Sequence, residues 1–112
     1  MNSIRFYRNR DHNPRVQAEE EFFSIGEYLE NDIQDTATGR EILTLLQKKG
    51  ENGEMTGNSY SLTITGNTVV LENLYDNDEP PQTLERAQVA ALFEAWLHFL
   101  DQDGLLSLVP DF

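Results

Sequence analysis

Between Leu84 and Leu100 the apolar residues Leu84, Ala87, Ala91, Leu92, Ala95, Trp96, Phe99 and Leu100 recur at helical spacing and fall on one broad stripe. A stripe this wide has to be covered, so the rest of the chain must pack around this helix, and the helix is expected at the centre of the core. Thr83, just ahead of it, has the side chain of an N-cap. With 112 residues the chain is long enough for one core and too short for two. The expected organisation is a single domain over 1–112, with no internal repeat and no interdomain linker.

The remaining elements follow from changes of period. Ile4 and Phe6 alternate with polar residues, Asp11-His12-Asn13-Pro14 is a turn signal, and Arg15-Val16-Gln17-Ala18 follows, which predicts an N-terminal β-hairpin with its arginines on the exposed face. Phe22, Ile25, Leu29 and Ile33 then share one helical stripe, in a helix that Gly26 weakens slightly. Thr38 and Glu41 have capping-box spacing ahead of Ile42, Leu45 and Leu46, with Lys48 and Lys49 in the last turn and Gly50 closing it. This segment is either a short second helix or the continuation of a kinked first one. A short strand is predicted at 54–56. Tyr60, Leu62 and Ile64 alternate with Ser61, Thr63 and Thr65, Gly66-Asn67 makes a two-residue turn, and Val69 and Leu71 continue after it, the clearest hairpin in the chain. The sum is an α+β fold: an antiparallel sheet built from two hairpins, with two to three helices packed on it. The apolar ending, Gly104 to Phe112, is expected to pack back on the domain or on a partner.

Charge limits the class of partner. The net charge is −12, from 20 acidic and 8 basic residues. Residues 1–15 hold four arginines and one aspartate, whereas 16–112 hold four basic and nineteen acidic residues. Phosphate backbones and anionic membranes repel such a surface, so neither nucleic acid nor membrane is an expected partner, and a basic protein is. Glu19, Glu20, Glu21, Glu27, Glu30, Asp32 and Asp35 form one acidic concentration. Asp76, Asp78 and Glu79 form another, on a loop that the tandem Pro80-Pro81 keeps out of helix and strand. Part of the first concentration suits a helix N-terminus. Six Phe, four Tyr and one Trp are too many for a disordered acidic tail, so the charge is expected on an ordered surface.

Motifs of chemistry are few. The chain has no Cys, which removes disulfides, thiol nucleophiles and Cys-ligated zinc and fits a reducing compartment. No apolar leader segment or run of eighteen apolar residues is present, so the expected location is the cytoplasm. His12 and His98 lack the second His of a zinc site. Asp101-Gln102-Asp103-Gly104 fits a calcium loop only with Phe99 first and Pro110 twelfth, neither of which can ligate. The Asp76, Asp78, Glu79 triplet lacks the glycine that cation-binding loops turn on. With twenty acids, spacing selects no catalytic carboxylate pair, and phosphate, dinucleotide and nucleophile-elbow motifs are absent. Neither an enzyme nor a cofactor is expected; Trp96 and Phe99 read as core.

A small folded acidic protein can occupy a basic nuclease cleft by presenting carboxylates where phosphates would sit. Asp76, Asp78 and Glu79 are the first candidates for such contacts, with Glu20, Glu27 and Glu30 second. In size, charge and class the whole chain resembles the small acidic immunity proteins of contact-dependent growth inhibition systems. That resemblance implies a protein that binds and neutralises a cognate cytoplasmic toxin domain, a basic ribonuclease, by covering its active site.

Phe6-Tyr7-Arg8, Phe23 to Leu29, Gly57 to Leu62 and Ala95-Trp96-Leu97 also resemble the uncharacterised YacL-like family. This second resemblance implies a housekeeping protein, of the nucleic-acid-mimic kind. The acidic, aromatic-rich stretch associated with that family before its last helix is shortened here to Tyr75 through Pro81.

Overall fold

A computed structural model describes residues 4–48, 50–76, 78–102, 104 and 106–110. Sequence readings that fall on Lys49, Asn77, Asp103, Leu105 and Phe112 lie outside the described residues. The N-terminal hairpin is β1 (Ile4–Arg8) and β2 (Pro14–Ala18), with Phe6 opposite Val16. A 3-10 turn at Glu20–Phe22 leads into α1 (Phe23–Asp32), and α2 (Thr36–Gln47) follows as a separate helix. Then come β3 (Gly53–Thr56), β4 (Tyr60–Thr65), β5 (Thr68–Asn73), β6 (Gln82–Glu85), α3 (Arg86–Asp101) and β7 (Ser107–Leu108).

The α+β class read from the sequence is the class observed. The two hairpins fall in two antiparallel sheets, ordered β2-β1-β7 and β3-β4-β5-β6. The reason is what each hairpin finds at its edge. Part of the C-terminal segment returns as β7 and pairs with β1, Phe6 opposite Leu108, whereas Leu106 and Val109 on either side of that strand stay exposed. The free edge of β2 is met by α1: Glu30 Oε1 accepts the outward Val16 N–H at 2.8 Å. Gly26 is at the close approach, because a Cβ there would lie 2.8 Å from Ala18 Cβ and 3.0 Å from Val16 Cγ1.

Two predicted caps move. Thr83 is not an N-cap but a strand residue opposite Val70, with Leu84 opposite Val69, so sheet pairing holds the chain extended up to Glu85 and α3 begins at Arg86. At α2 the cap is Asp35, whose Oδ2 accepts from Thr38 N at 2.9 Å, leaving Thr38 inside the first turn. That bond holds the Asp35 carboxyl below the usual carboxylate range.

The helix over 86–101 is central, as its stripe predicts, but the face it buries is shifted. Val89, Leu92, Phe93, Trp96 and Phe99 are fully enclosed, while Ala87 is exposed and Ala91 partly so. Trp96 stands edge-on to Phe6 at 5.0 Å, stacks on Phe99 at 5.8 Å, and donates through Nε1 to Ile33 O at 2.6 Å. The stripe Phe22, Ile25, Leu29 and Ile33 is buried throughout. No helix among the described residues is long and apolar enough to cross a membrane.

Among the described residues, one cation is buried. Arg86, 7% exposed, donates from Nε to Leu46 O and from Nη2 to Leu45 O, both at 2.8 Å, and also from Nη2 to Lys48 O. Its Nη1 reaches Gly66 O in the β4–β5 turn at 2.8 Å. A positive charge at the C-terminal end of α2 is favourable to the helix dipole, and the fork adds a donor to the carbonyls of its end, of which Leu45 O and Lys48 O also accept the backbone N–H groups of Lys48 and Glu51.

Two outcomes follow. Arg86→Met should lower stability by about 1–3 kcal/mol, since the enclosed Leu46 O loses the Arg86 donor; chemical denaturation with unchanged m-value checks it. Gly26→Ala should also destabilise, by about 1–3 kcal/mol from overpacking, despite alanine's better helix propensity. A raised thermal midpoint for that variant would contradict the close approach of α1 to β2.

Candidate protein-binding surface

The loop joining β5 to β6 is built from its own side chains. Asn73 Oδ1 accepts the backbone N–H groups of Tyr75 at 2.8 Å and Asp76 at 3.0 Å, and Asp76 Oδ1 accepts that of Asp78 at 3.0 Å. Such local side-chain to backbone bonds shape a turn without strand partners. Pro80 and Pro81 follow, and pairing resumes at Gln82.

Glu79 ties this loop to the body of the protein. Its Oε2 accepts from the Tyr60 hydroxyl at 2.7 Å and from Ser24 Oγ at 3.1 Å, and its Oε1 from Asn73 Nδ2 at 3.4 Å. Gln82 adds two bonds nearby, accepting from Ser24 N at 3.2 Å and donating to Glu20 O at 3.2 Å. The first turn of α1 is therefore docked on the acidic loop. Burial pushes the Tyr60 hydroxyl up, and the Glu79 hydrogen bond and charge push it further. Tyr28 is raised mainly by burial and secondarily by the Asp32 charge.

The six candidate acids thus divide. Glu20 and Glu79 lie where the α1 N-terminus meets the loop, Asp76 and Asp78 are exposed on the loop itself, and Glu27 sits beside Glu30 on the side of α1 that faces β2, accepting from Asn31 Nδ2 at 3.2 Å. Glu79 is half-buried and fully engaged, so it holds the loop in place. Glu30 is diverted to the β2 edge, where it accepts from Val16 N. Asp32, not a candidate, accepts Ser59 N, Ser59 Oγ and Tyr60 N at 3.0–3.1 Å and so clamps the β3–β4 turn.

Sequence reading passed over four contributors. Asn73 reads as the end of a strand, although an Asn before an acidic, Pro-bounded segment is also an Asx-turn signal. Tyr75, 81% exposed, stands on the loop as an aromatic with no packing role, and Phe23, 45% exposed, begins α1. Nothing local marks Ser24 as a loop anchor.

The arginines of the N-terminal hairpin are not all on an exposed face. Arg5 and Arg10 are exposed, but Arg8 is half-buried: it donates to Phe99 O at 3.1 Å, lies 5.0 Å from the Phe99 ring centre, and reaches Leu100 O and Gln102 O at 3.5 Å. Among the described residues there is one ion pair, Arg40 to Asp101 at 3.3 Å, with side chains 66% and 48% exposed, and an exposed pair of that kind contributes little. No group of three or more His, Asp or Glu among the described residues could hold a metal ion. Compared with known proteins, the chain matches no family model, no curated protein and no solved structure.

Removing the Glu79 carboxylate should free the loop. In Glu79→Ala, amide hydrogen exchange at Tyr75, Asp76 and Asp78 is expected to accelerate, while exchange in β4 stays slow. Equal acceleration in both would mean that Glu79 supports the sheet and not the loop. The raised hydroxyls of Tyr28 and Tyr60 also set a pH dependence. Unfolded tyrosines ionise near about pH 10 whereas these stay protonated, so their contribution is intact below that pH and falls as pH rises past it. Urea midpoints should therefore decline above about pH 10, less steeply in Tyr60→Phe.

Proposed function

We propose that the protein is an immunity-type inhibitor that binds a basic toxin domain, a ribonuclease, and covers its active site with an acidic surface. The observation that carries this reading is the uncompensated charge. Two of the eight basic side chains, Arg8 and Arg86, are turned onto backbone carbonyls. The single ion pair among the described residues leaves the acids of the loop and of α1 without cationic partners.

The loop presents Asp76 and Asp78 as acceptors held in a defined shape, and Tyr75 stands beside them as an aromatic of the kind that anchors interfaces. Arginine and lysine side chains that bind phosphate would bind these carboxylates by the same charge-assisted hydrogen bonds. Attraction over a Debye length would speed encounter, which matters when an inhibitor must arrive before its target acts. The role is one of occlusion, and no catalytic residue is assigned.

The test is an Asp76→Lys, Asp78→Lys double variant, measured against the basic protein that immobilised wild-type chain retains from its native host. Affinity should fall about tenfold or more, which corresponds to about 1.4 kcal/mol, with Tm nearly unchanged because both side chains are exposed. Unchanged affinity removes the loop from the interface. Binding that ignores ionic strength between low and physiological salt removes the electrostatic mechanism.

A further inference from the structure

At the opposite end of the β4–β5 hairpin from the acidic loop, a cleft of about 940 Å³ opens between the end of α2, the β4–β5 turn and the first turns of α3. Tyr60 opposite Asn73 marks the loop end of the ladder and Thr65 opposite Thr68 the cleft end, so the two sites are about 17 Å apart along the strands. The floor is Leu46 with Ala87, Ala90 and Ala91 of α3, and Glu85 and Glu94 stand on the rim. Ala87 and Ala91 belong to the apolar stripe of the sequence, yet the core closes on Val89, Leu92, Phe93 and Trp96 and leaves Ala87 exposed and Ala90 and Ala91 only partly buried.

We propose that this cleft docks a basic amphipathic helix of a partner protein. Two features decide the occupant. The floor is made of small side chains, which let a second helix approach at the short end of the usual 8–10 Å axial separation. The charge in the cleft is net negative: Glu85 and Glu94 outnumber the one cation of the wall, Arg86, whose donors are taken by the carbonyls of Leu45, Leu46, Lys48 and Gly66. Glu94 accepts from Gln47 Nε2 at 2.7 Å. A second copy of this chain would bring the same glutamates and a further −12, so the complementary occupant is a lysine- or arginine-bearing segment of another protein, its apolar side chains on the alanines. The proposal does not rest on the acidic loop being an inhibitory surface.

The test is an NMR titration of the 15N-labelled protein with a helical peptide of about 18 residues, long enough to form a helix, with Leu on one face and Lys on the other. Saturable shifts are expected at Gly50, Thr68, Ala87, Ala90 and Ala91. Glu85→Lys with Glu94→Lys should weaken binding about tenfold or more, and Ala91→Trp, which fills the floor, should abolish it. The rim variant decides alone if Ala91→Trp fails to fold, because Glu85 and Glu94 are exposed. The Asp76→Lys, Asp78→Lys variant should bind the peptide as wild type does, so this test and that of the loop fail independently. Equal shifts from a peptide with Ser in place of Leu would mean charge without a site. That result, shifts centred on 74–81, or no binding would each overturn the proposal.

Discussion

The Arg86 guanidinium at the end of α2 is the contact on which the arrangement of helices and the larger sheet depends. It joins three elements through backbone carbonyls: the last turn of α2, the β4–β5 turn and, through its own backbone, the start of α3. The other two helices end in the same manner. Ile33 O, at the end of α1, takes the Trp96 indole N–H, and Phe99 O, near the end of α3, takes Arg8. Each helix C-terminus is closed by a donor that the fold brings in from a distant part of the chain. Leu45 O and Phe99 O also accept the local backbone N–H groups of Lys48 and Gln102, so the distant donors add to those bonds and tie each helix end to another part of the chain.

That use of cations determines the electrostatics. Arginines serving carbonyls remain positively charged but are not free to pair with carboxylates, so a net charge of −12 is carried on a surface with little local neutralisation. Some acids are structural as well. Asp32 clamps a turn, Asp35 caps α2, Glu30 covers a strand edge and Glu79 fastens a loop. These carboxylates hold structure, which leaves Asp76 and Asp78 exposed on their loop and Glu20 exposed ahead of α1.

The two sites differ in kind. The loop site is a projecting, hydrogen-bonded turn with an exposed tyrosine, suited to entering a basic cleft. The α2–α3 site is a recess with a small-residue floor, suited to receiving a segment. Both are complementary to positive charge, and they lie at opposite ends of the same hairpin.

The sequence by itself determined the α+β class, the Tyr60 to Asn73 hairpin, the separate position of the acidic loop and the central helix, because these depend on period and turn chemistry over a few residues. Which alanines of α3 would be left open, that Thr83 is a strand residue, and that Glu79 faces Tyr60 and Ser24 were decided only by tertiary structure. Thr83 has a β-partner thirteen residues earlier, Glu79 a partner fifty-five residues away, and Arg86 acceptors about forty residues away. A carboxylate or guanidinium looks the same in sequence whether solvent or a distant carbonyl or hydroxyl surrounds it, and only folding supplies that neighbour.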